Sequence, residues 1–211
     1  MTGADSSTEL RELLVSHSYD VAADLLGCTL THQTAAGTVV VELTEVEAYS
    51  GAQDPASHAY NGRTPRNAVM FGEAGRLYVY FSYGMHWCCN VVTGPPDEAA
   101  AVLLRAGRVL QGRTLAQARR GARVPDHGLA RGPACLTQAL GINRENNAAD
   151  LLLPDASLRL TAGRKLSPAQ IEKGPRVGVS TAHEVPWRFW VKGDDTVSAY
   201  KRSPRAGDRS G

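Results

Sequence analysis

Leu77, Val79 and Phe81 alternate with Tyr78, Tyr80 and Ser82, the period of two expected of a strand with one apolar face and one tyrosine-bearing face. Gly84 interrupts the run and His86 to Thr93 resumes it, which predicts a hairpin with Tyr83-Gly84 at its tip. Earlier in the chain, Cys28 to His32 and Thr38 to Tyr49 flank an Ala35-Ala36-Gly37 turn and read as another hairpin with a long second strand. Ala100 to Ala106, Leu151 to Leu160, Arg176 to Val179 and Trp187 to Val191 read as further strands. Helical spacing is confined to short pieces. These are Leu10 to Val15, Asp20 to Leu26 with Gly27 as its stop, Thr114 to Arg120, Ala134 to Leu140 between Gly132-Pro133 and Gly141, and a turn at Pro168 to Glu172. Gly51 to Arg76 is a long connection rich in Gly, Pro, Asn and Arg, and connections of that length are usually either functional or disordered.

At 211 residues the chain fits one domain, or a domain with a small lobe, and 43% hydrophobic with 21% charged residues is ordinary globular composition. No run of eighteen apolar residues and no basic-then-apolar leader is found, so neither a membrane span nor a signal peptide is expected. The four cysteines form no C-x-x-C pair and no zinc spacing; reduced thiols in a cytoplasmic protein are expected, with no metal and no cofactor. The net charge of +2 conceals a gradient. Residues 1–60 carry one Arg against nine acids, residues 61–135 ten Arg against four acids, and residues 136–211 twelve basic residues against eight acids. An Arg excess over Lys of nineteen to four follows from a GC-rich genome alone, but the segregation does not, and it points to a polyanionic partner.

The long second strand carries the first chemical candidates. A regular strand places residues 41, 43, 45, 47 and 49 on one face, so that Glu45, Glu47 and Tyr49 follow Val41 and Leu43 on the same side. Glutamates also decorate exposed edge strands; Glu47 stands out because the strand gives way to a loop two residues later, at an aromatic. His58 sits in the following loop, and Arg63 and Arg66 flank the rigid Thr64-Pro65 corner, suited to phosphate contact or to a surface ion pair. Tyr83 at a bare hairpin tip either packs under another loop or enters a partner. Seven Arg and one acid fall between Arg105 and Arg131, ahead of the Pro133 helix, a candidate phosphate seat.

Glu47-Ala48-Tyr49, His58, Arg63-Thr64-Pro65-Arg66-Asn67, Leu77-Tyr78-Val79-Tyr80, Tyr83-Gly84-Met85, Asn90 and Val102-Leu103-Leu104-Arg105-Ala106 follow one another as in the 3-methyladenine (alkyladenine, methylpurine) DNA glycosylase family, which this chain resembles over about residues 20 to 200. Gly132-Pro133, Gln138 to Asn143 and Arg176-Val177-Gly178-Val179 extend the resemblance. It implies a single mixed α+β domain over residues 18–200, a curved antiparallel β-sheet surrounded by helices, with a flexible 1–17 start and a basic, disordered 201–211 tail. It implies removal of alkylated purines, chiefly 3-methyladenine, from double-stranded DNA, by a monomer. Carried over by position, Glu47 resembles the group that activates the attacking water, and Arg105 a supporting and DNA-facing group beside that water, one step removed from the reacting atoms. Tyr49, His58 and Tyr80 resemble the walls of the base pocket, Asn90 its floor, and Val177 and Gly178 its rim. Tyr83 resembles the side chain that fills the gap left in the helix, and Arg63, Arg66, Met85 and His86 DNA contacts. His86-Trp87 and Cys89 depart from the animal members of the family, which bears on substrate breadth rather than reaction type.

The chemistry needs these residue types. A base must leave the stack before its glycosidic bond can be reached, at a cost of a few kcal/mol. Aromatic stacking returns roughly 1–3 kcal/mol per ring, and electron-rich rings favour a cationic base by ~0.5–2 kcal/mol. A carboxylate then stabilises positive charge on the sugar and takes a proton from water. The four lysines, Lys165, Lys173, Lys192 and Lys201, are distant in sequence from the pocket motifs, so no amine nucleophile and hence no lyase step is expected. A binding module without catalysis would need the aromatic hairpin but not Glu47, and a nucleosidase would need the carboxylate but neither Tyr83 nor the arginines.

Overall fold

The computed structural model describes residues 3–82 and 84–206. In chain order its elements are α1 (Gly3–Leu14), α2 (Ser18–Val21), β1 (Thr29–Thr34), β2 (Gly37–Tyr49), β3 (Leu77–Ser82), β4 (His86–Val92), β5 (Ala101–Gln111), α3 (Arg113–Arg120), β6 (Ala130–Arg131), α4 (Pro133–Leu140), β7 (Leu158–Thr161), β8 (Ile171–Gly174) and β9 (Arg188–Val191). The strands form one sheet in the order β3-β4-β5-β2-β1-β7, with β6 on β5, and β9 linking β2 to β8. All named strand pairs are antiparallel. This is the expected α+β class.

β2 is the spine. It pairs with β5 along one edge; along the other, its first half takes β1 and Glu45 to Glu47 take β9. The β2–β5 register slips twice near the middle, from Leu43↔Gly107 to Glu45↔Ala106 and then to Val46↔Leu104. Because side chains alternate with a period of two, an extra residue swaps the faces of everything beyond it. Val39, Val41 and Leu43 lie in the main core, but so do Val46 and Ala48. The expectation that residues 41 to 49 keep one face is therefore corrected: Glu45, Glu47 and Tyr49 leave the face of Val41 and Leu43. The bulge gives the strand an apolar side for the core and a polar end for something else.

The main core lies between the sheet and the helices, with Leu10 and Leu14 of α1 and Leu136 and Leu140 of α4 among its members. Against the expected flexible 1–17 stretch, the chain is helical from Gly3 to Leu14, and Arg11 pairs with Asp150 at 2.9 Å. The Leu151 to Leu160 strand shortens to β7, and Arg176 to Val179 forms an irregular loop in place of a strand. Both differences have a local cause. Asp150 accepts the Leu152 N–H in a turn, and Val177 gives its N–H to a side chain instead of a neighbouring strand.

Candidate active site

The polar end of β2 carries two fully buried carboxylates. Glu47 accepts the Val177 N–H at 2.7 Å, the Tyr49 hydroxyl at 2.9 Å and Arg105 Nη1 at 3.4 Å. Glu45, two residues earlier, accepts Arg105 Nε at 2.9 Å, Arg188 Nε at 2.7 Å, and both the Oγ and N–H of Ser198 at 2.8 and 2.7 Å. Two carboxylates and two guanidiniums balance, which is what allows this much charge inside the protein. Burial raises the Glu45 pKa, but Arg105 and Arg188 outweigh it and the carboxyl titrates below its ordinary value. Burial also opposes charge on Arg105, and the two glutamates override it. Arg105 is only 6% exposed and is turned to the two carboxylates, so little of its side chain is left to face DNA.

Glu47 lies directly behind a cavity of about 410 Å³. Tyr49 and Val177, two of its hydrogen-bond donors, line that cavity together with His58, Tyr78, Asn90 and Gly178. Of the residues expected to form the pocket, Tyr49, His58, Asn90, Val177 and Gly178 thus converge. Tyr80 is not among its lining residues, but it is part-exposed, and its ring meets His58 edge-on at 4.5 Å and stacks on Tyr78 at 5.5 Å. Tyr78 occupies the lining position instead. It is the same-face neighbour of Tyr80 in β3, so alternation alone could have found it.

The rings are held from behind. His58 Nδ1 lies 3.3 Å from the Tyr78 hydroxyl, and Asn90 Nδ2 donates to the Tyr78 carbonyl at 3.3 Å. Burial, then the Arg66 charge, lowers the His58 pKa, although the ring keeps a solvent-facing edge. Burial, then the Glu47 charge, drives the Tyr49 phenol well above its ordinary pKa, so it is a donor to Glu47 and not a phenolate. Arg176 stacks over the Tyr49 ring at 4.6 Å and over Trp187 at 5.2 Å, while its guanidinium grips Asp54 at 2.5 and 2.8 Å. No local pattern signals Asp54, Arg188 or Ser198 as site residues, and Arg176 is marked only as part of the Arg176 to Val179 motif; Arg176 meets Asp54, and Arg188 and Ser198 meet Glu45, across more than 100 residues of chain.

Two carboxylates, one of them behind a cavity of small-ligand size lined in part by aromatic rings, narrow the comparison with known proteins. A family model described as methylpurine-DNA glycosylase matches residues 12–195. The chain belongs to the methylpurine-DNA glycosylase family. Three relatives carry the provisional name 3-methyladenine DNA glycosylase. The Streptomyces avermitilis protein is 48% identical over 209 residues, covering 97% of this chain and 98% of its own. The Leifsonia xyli protein is 48% identical over 202 residues (92% and 93%), and the Nocardia farcinica protein 51% identical over 200 residues (92% of each). The chain is accordingly a DNA glycosylase of base excision repair, a hydrolase of N-glycosyl bonds.

In this glycosylase the β3–β4 hairpin projects beside the cavity. Ser82 pairs with His86, Gly84 turns with φ of +67°, and Met85 is 67% exposed. Tyr83 lies outside the described residues. Arg66 donates to the Phe81 carbonyl at 3.3 Å and stacks over Tyr80, and Arg63 stacks over Phe71 beside an exposed ion pair with Asp97 at 3.6 Å. The side chains of Lys165, Lys173, Lys192 and Lys201 are exposed and none lines the cavity. The Lys201 carbonyl nevertheless accepts the Gly178 N–H at 3.0 Å, bringing the chain's last segment to the cavity rim. Among the described residues no helix is long and apolar enough to cross a membrane.

Proposed function

We propose that this glycosylase removes alkylated purines, chiefly 3-methyladenine, from double-stranded DNA, acting as a cytoplasmic monomer without a cofactor. Glu47 takes the proton of the attacking water and steadies positive charge on the sugar as the base departs. Arg105 holds that carboxylate in place. The flipped base enters between Tyr49, Tyr78 and His58, with Tyr80 beside them, Asn90 as the floor and Val177-Gly178 as the rim. Tyr83 replaces the lost stacking, while Arg63, Arg66, Met85 and His86 meet the DNA backbone and groove. A cationic base leaves without a proton, so one carboxylate suffices.

The observation that carries this reading is Glu47: a carboxylate with no solvent exposure, one hydrogen bond behind two residues of an aromatic cavity of about 410 Å³. The names of the relatives agree with it. The test is release of bases from methylated duplex DNA. The wild-type protein is expected to free 3-methyladenine and leave an abasic site with no strand break. Glu47→Gln is expected to bind abasic-site DNA as before while excision falls roughly 10²-fold or more. Excision by Glu47→Gln at the wild-type rate would remove Glu47 from the mechanism.

A further inference from the structure

Beyond β9 the chain returns across the sheet to the carboxylates. Thr196 Oγ1 lies 2.7 Å from Thr44 Oγ1, the Val197 carbonyl accepts Arg131 Nε at 2.8 Å, and the Lys201 carbonyl accepts the Gly178 N–H at 3.0 Å. Between these ties sits Ser198, whose polar groups are all used at the buried cluster. Its N–H and Oγ–H go to Glu45 at 2.7 and 2.8 Å, its Oγ accepts Arg105 Nη2 at 3.3 Å, and its carbonyl accepts Arg188 Nη2 at 2.6 Å. The family match ends at residue 195, so this contact is made by a segment just beyond it.

Arg105 has a choice of carboxylates. Nε is 2.9 Å from Glu45, whereas Nη1 is 3.4 Å from Glu47. A guanidinium free to rotate would close on Glu47 as a planar, two-pronged pair and occupy the lone pairs that a water proton needs. Ser198 blocks that rotation, because it donates to Glu45 and accepts from Nη2 at once, which fixes the fork with only Nη1 toward Glu47. We propose that Ser198, supported by Glu45 and Arg188, is a positioning residue for the glycosylase reaction: it holds Arg105 off Glu47. The inference rests on the role given to Glu47 above, and the variants are chosen to separate the two.

Three variants test it, Ser198→Ala, Ser198→Thr and the double variant Ser198→Ala with Glu47→Gln. The measurements are single-turnover excision from methylated duplex DNA and affinity for abasic-site duplex. Ser198→Ala is expected to excise about 10-fold more slowly, the scale of a modestly misplaced group, with affinity for abasic-site DNA changed less than about twofold. Ser198→Thr keeps the hydroxyl and is expected to restore most of the rate. The double variant is expected to be no slower than Glu47→Gln alone, since Ser198 acts only through that carboxylate. Wild-type excision by Ser198→Ala overturns the proposal, as does a loss carried wholly by weaker DNA binding, or a further slowing in the double variant. If Ser198→Ala is normal while Glu47→Gln is inactive, the role of Glu47 stands and only the positioning role falls.

Discussion

His58 illustrates how a single side chain can favour a charged ligand. Its ring faces Tyr78 and Tyr80, and among the described residues the charge that bears on it is that of Arg66. Burial and then that cation lower its pKa, so near pH 7 the imidazole is neutral and adds no positive charge to a cavity read here as a seat for cationic bases. Acid reverses this. Once the ring takes a proton, a cationic base meets a cation in its wall. Because the shift is downward, the change belongs below the ordinary histidine range, under about pH 6.5. Single-turnover excision of 7-methylguanine is therefore expected to fall more steeply on acidification in the wild-type protein than in His58→Gln, the two curves separating only in that acidic range. Parallel curves would show that His58 protonation is not the cause.

Between elements, the site is held by long-range ion pairs. Asp54 caps the start of the loop that carries His58, accepting from Ser50 and Ala56, while Arg176 precedes the Val177-Gly178 rim. Their pair, with neither side chain exposed, clasps the two walls of the cavity together. Breaking one member leaves an uncompensated buried charge, which costs about 3–5 kcal/mol. Asp54→Asn should lower the thermal midpoint by roughly 10 °C at 2–4 °C per kcal/mol, and Asp54→Asn combined with Arg176→Met should recover part of that loss in calorimetry. A double variant as unstable as the sum of the singles would mean that the two do not act as a pair. The same contrast explains what was legible in the chain. Alternation reveals the β1–β2 and β3–β4 hairpins, and Gly-Pro and Gly punctuation reveals α4. It misplaces Glu47, because a bulge leaves the apolar-polar pattern nearly unchanged while swapping the faces. It is silent about Arg176 and Ser198, whose partners lie at the other end of the chain. The pocket motifs were readable as a family resemblance; the ion pairs that hold the cavity walls and Arg105 are tertiary.

For the whole molecule, the segregation of arginine predicts a different DNA footprint from the one its position in the sequence suggests. Arg108 and Arg113 pair with Asp194 and Asp126, Arg119 and Arg120 donate to the carbonyls of Ala139 and Leu129, and Arg131 donates to that of Val197. Arg119 and Arg120 therefore tie α3 to α4 and to the segment before β6, and Arg108 and Arg131 reach residues 194 and 197, whereas the Arg113–Asp126 pair is exposed. The loop arginines are placed otherwise. Arg63 stacks over Phe71, and its ion pair with Asp97 at 3.6 Å is exposed, of the kind that contributes about 0–1 kcal/mol. Arg66 lies over Tyr80 at the base of the projecting hairpin. Each phosphate neutralised adds about −0.9 to the slope of log affinity against log salt. Arg66→Gln should accordingly flatten that slope for undamaged duplex DNA by about one unit and leave the thermal midpoint nearly unchanged. Arg120→Gln should do the reverse, lowering the midpoint while the slope holds. If Arg120→Gln flattened the slope as much as Arg66→Gln, the arginines of α3 would belong to the DNA surface after all, and the charge gradient along the chain would have to be read as a binding stripe instead of as internal fastening.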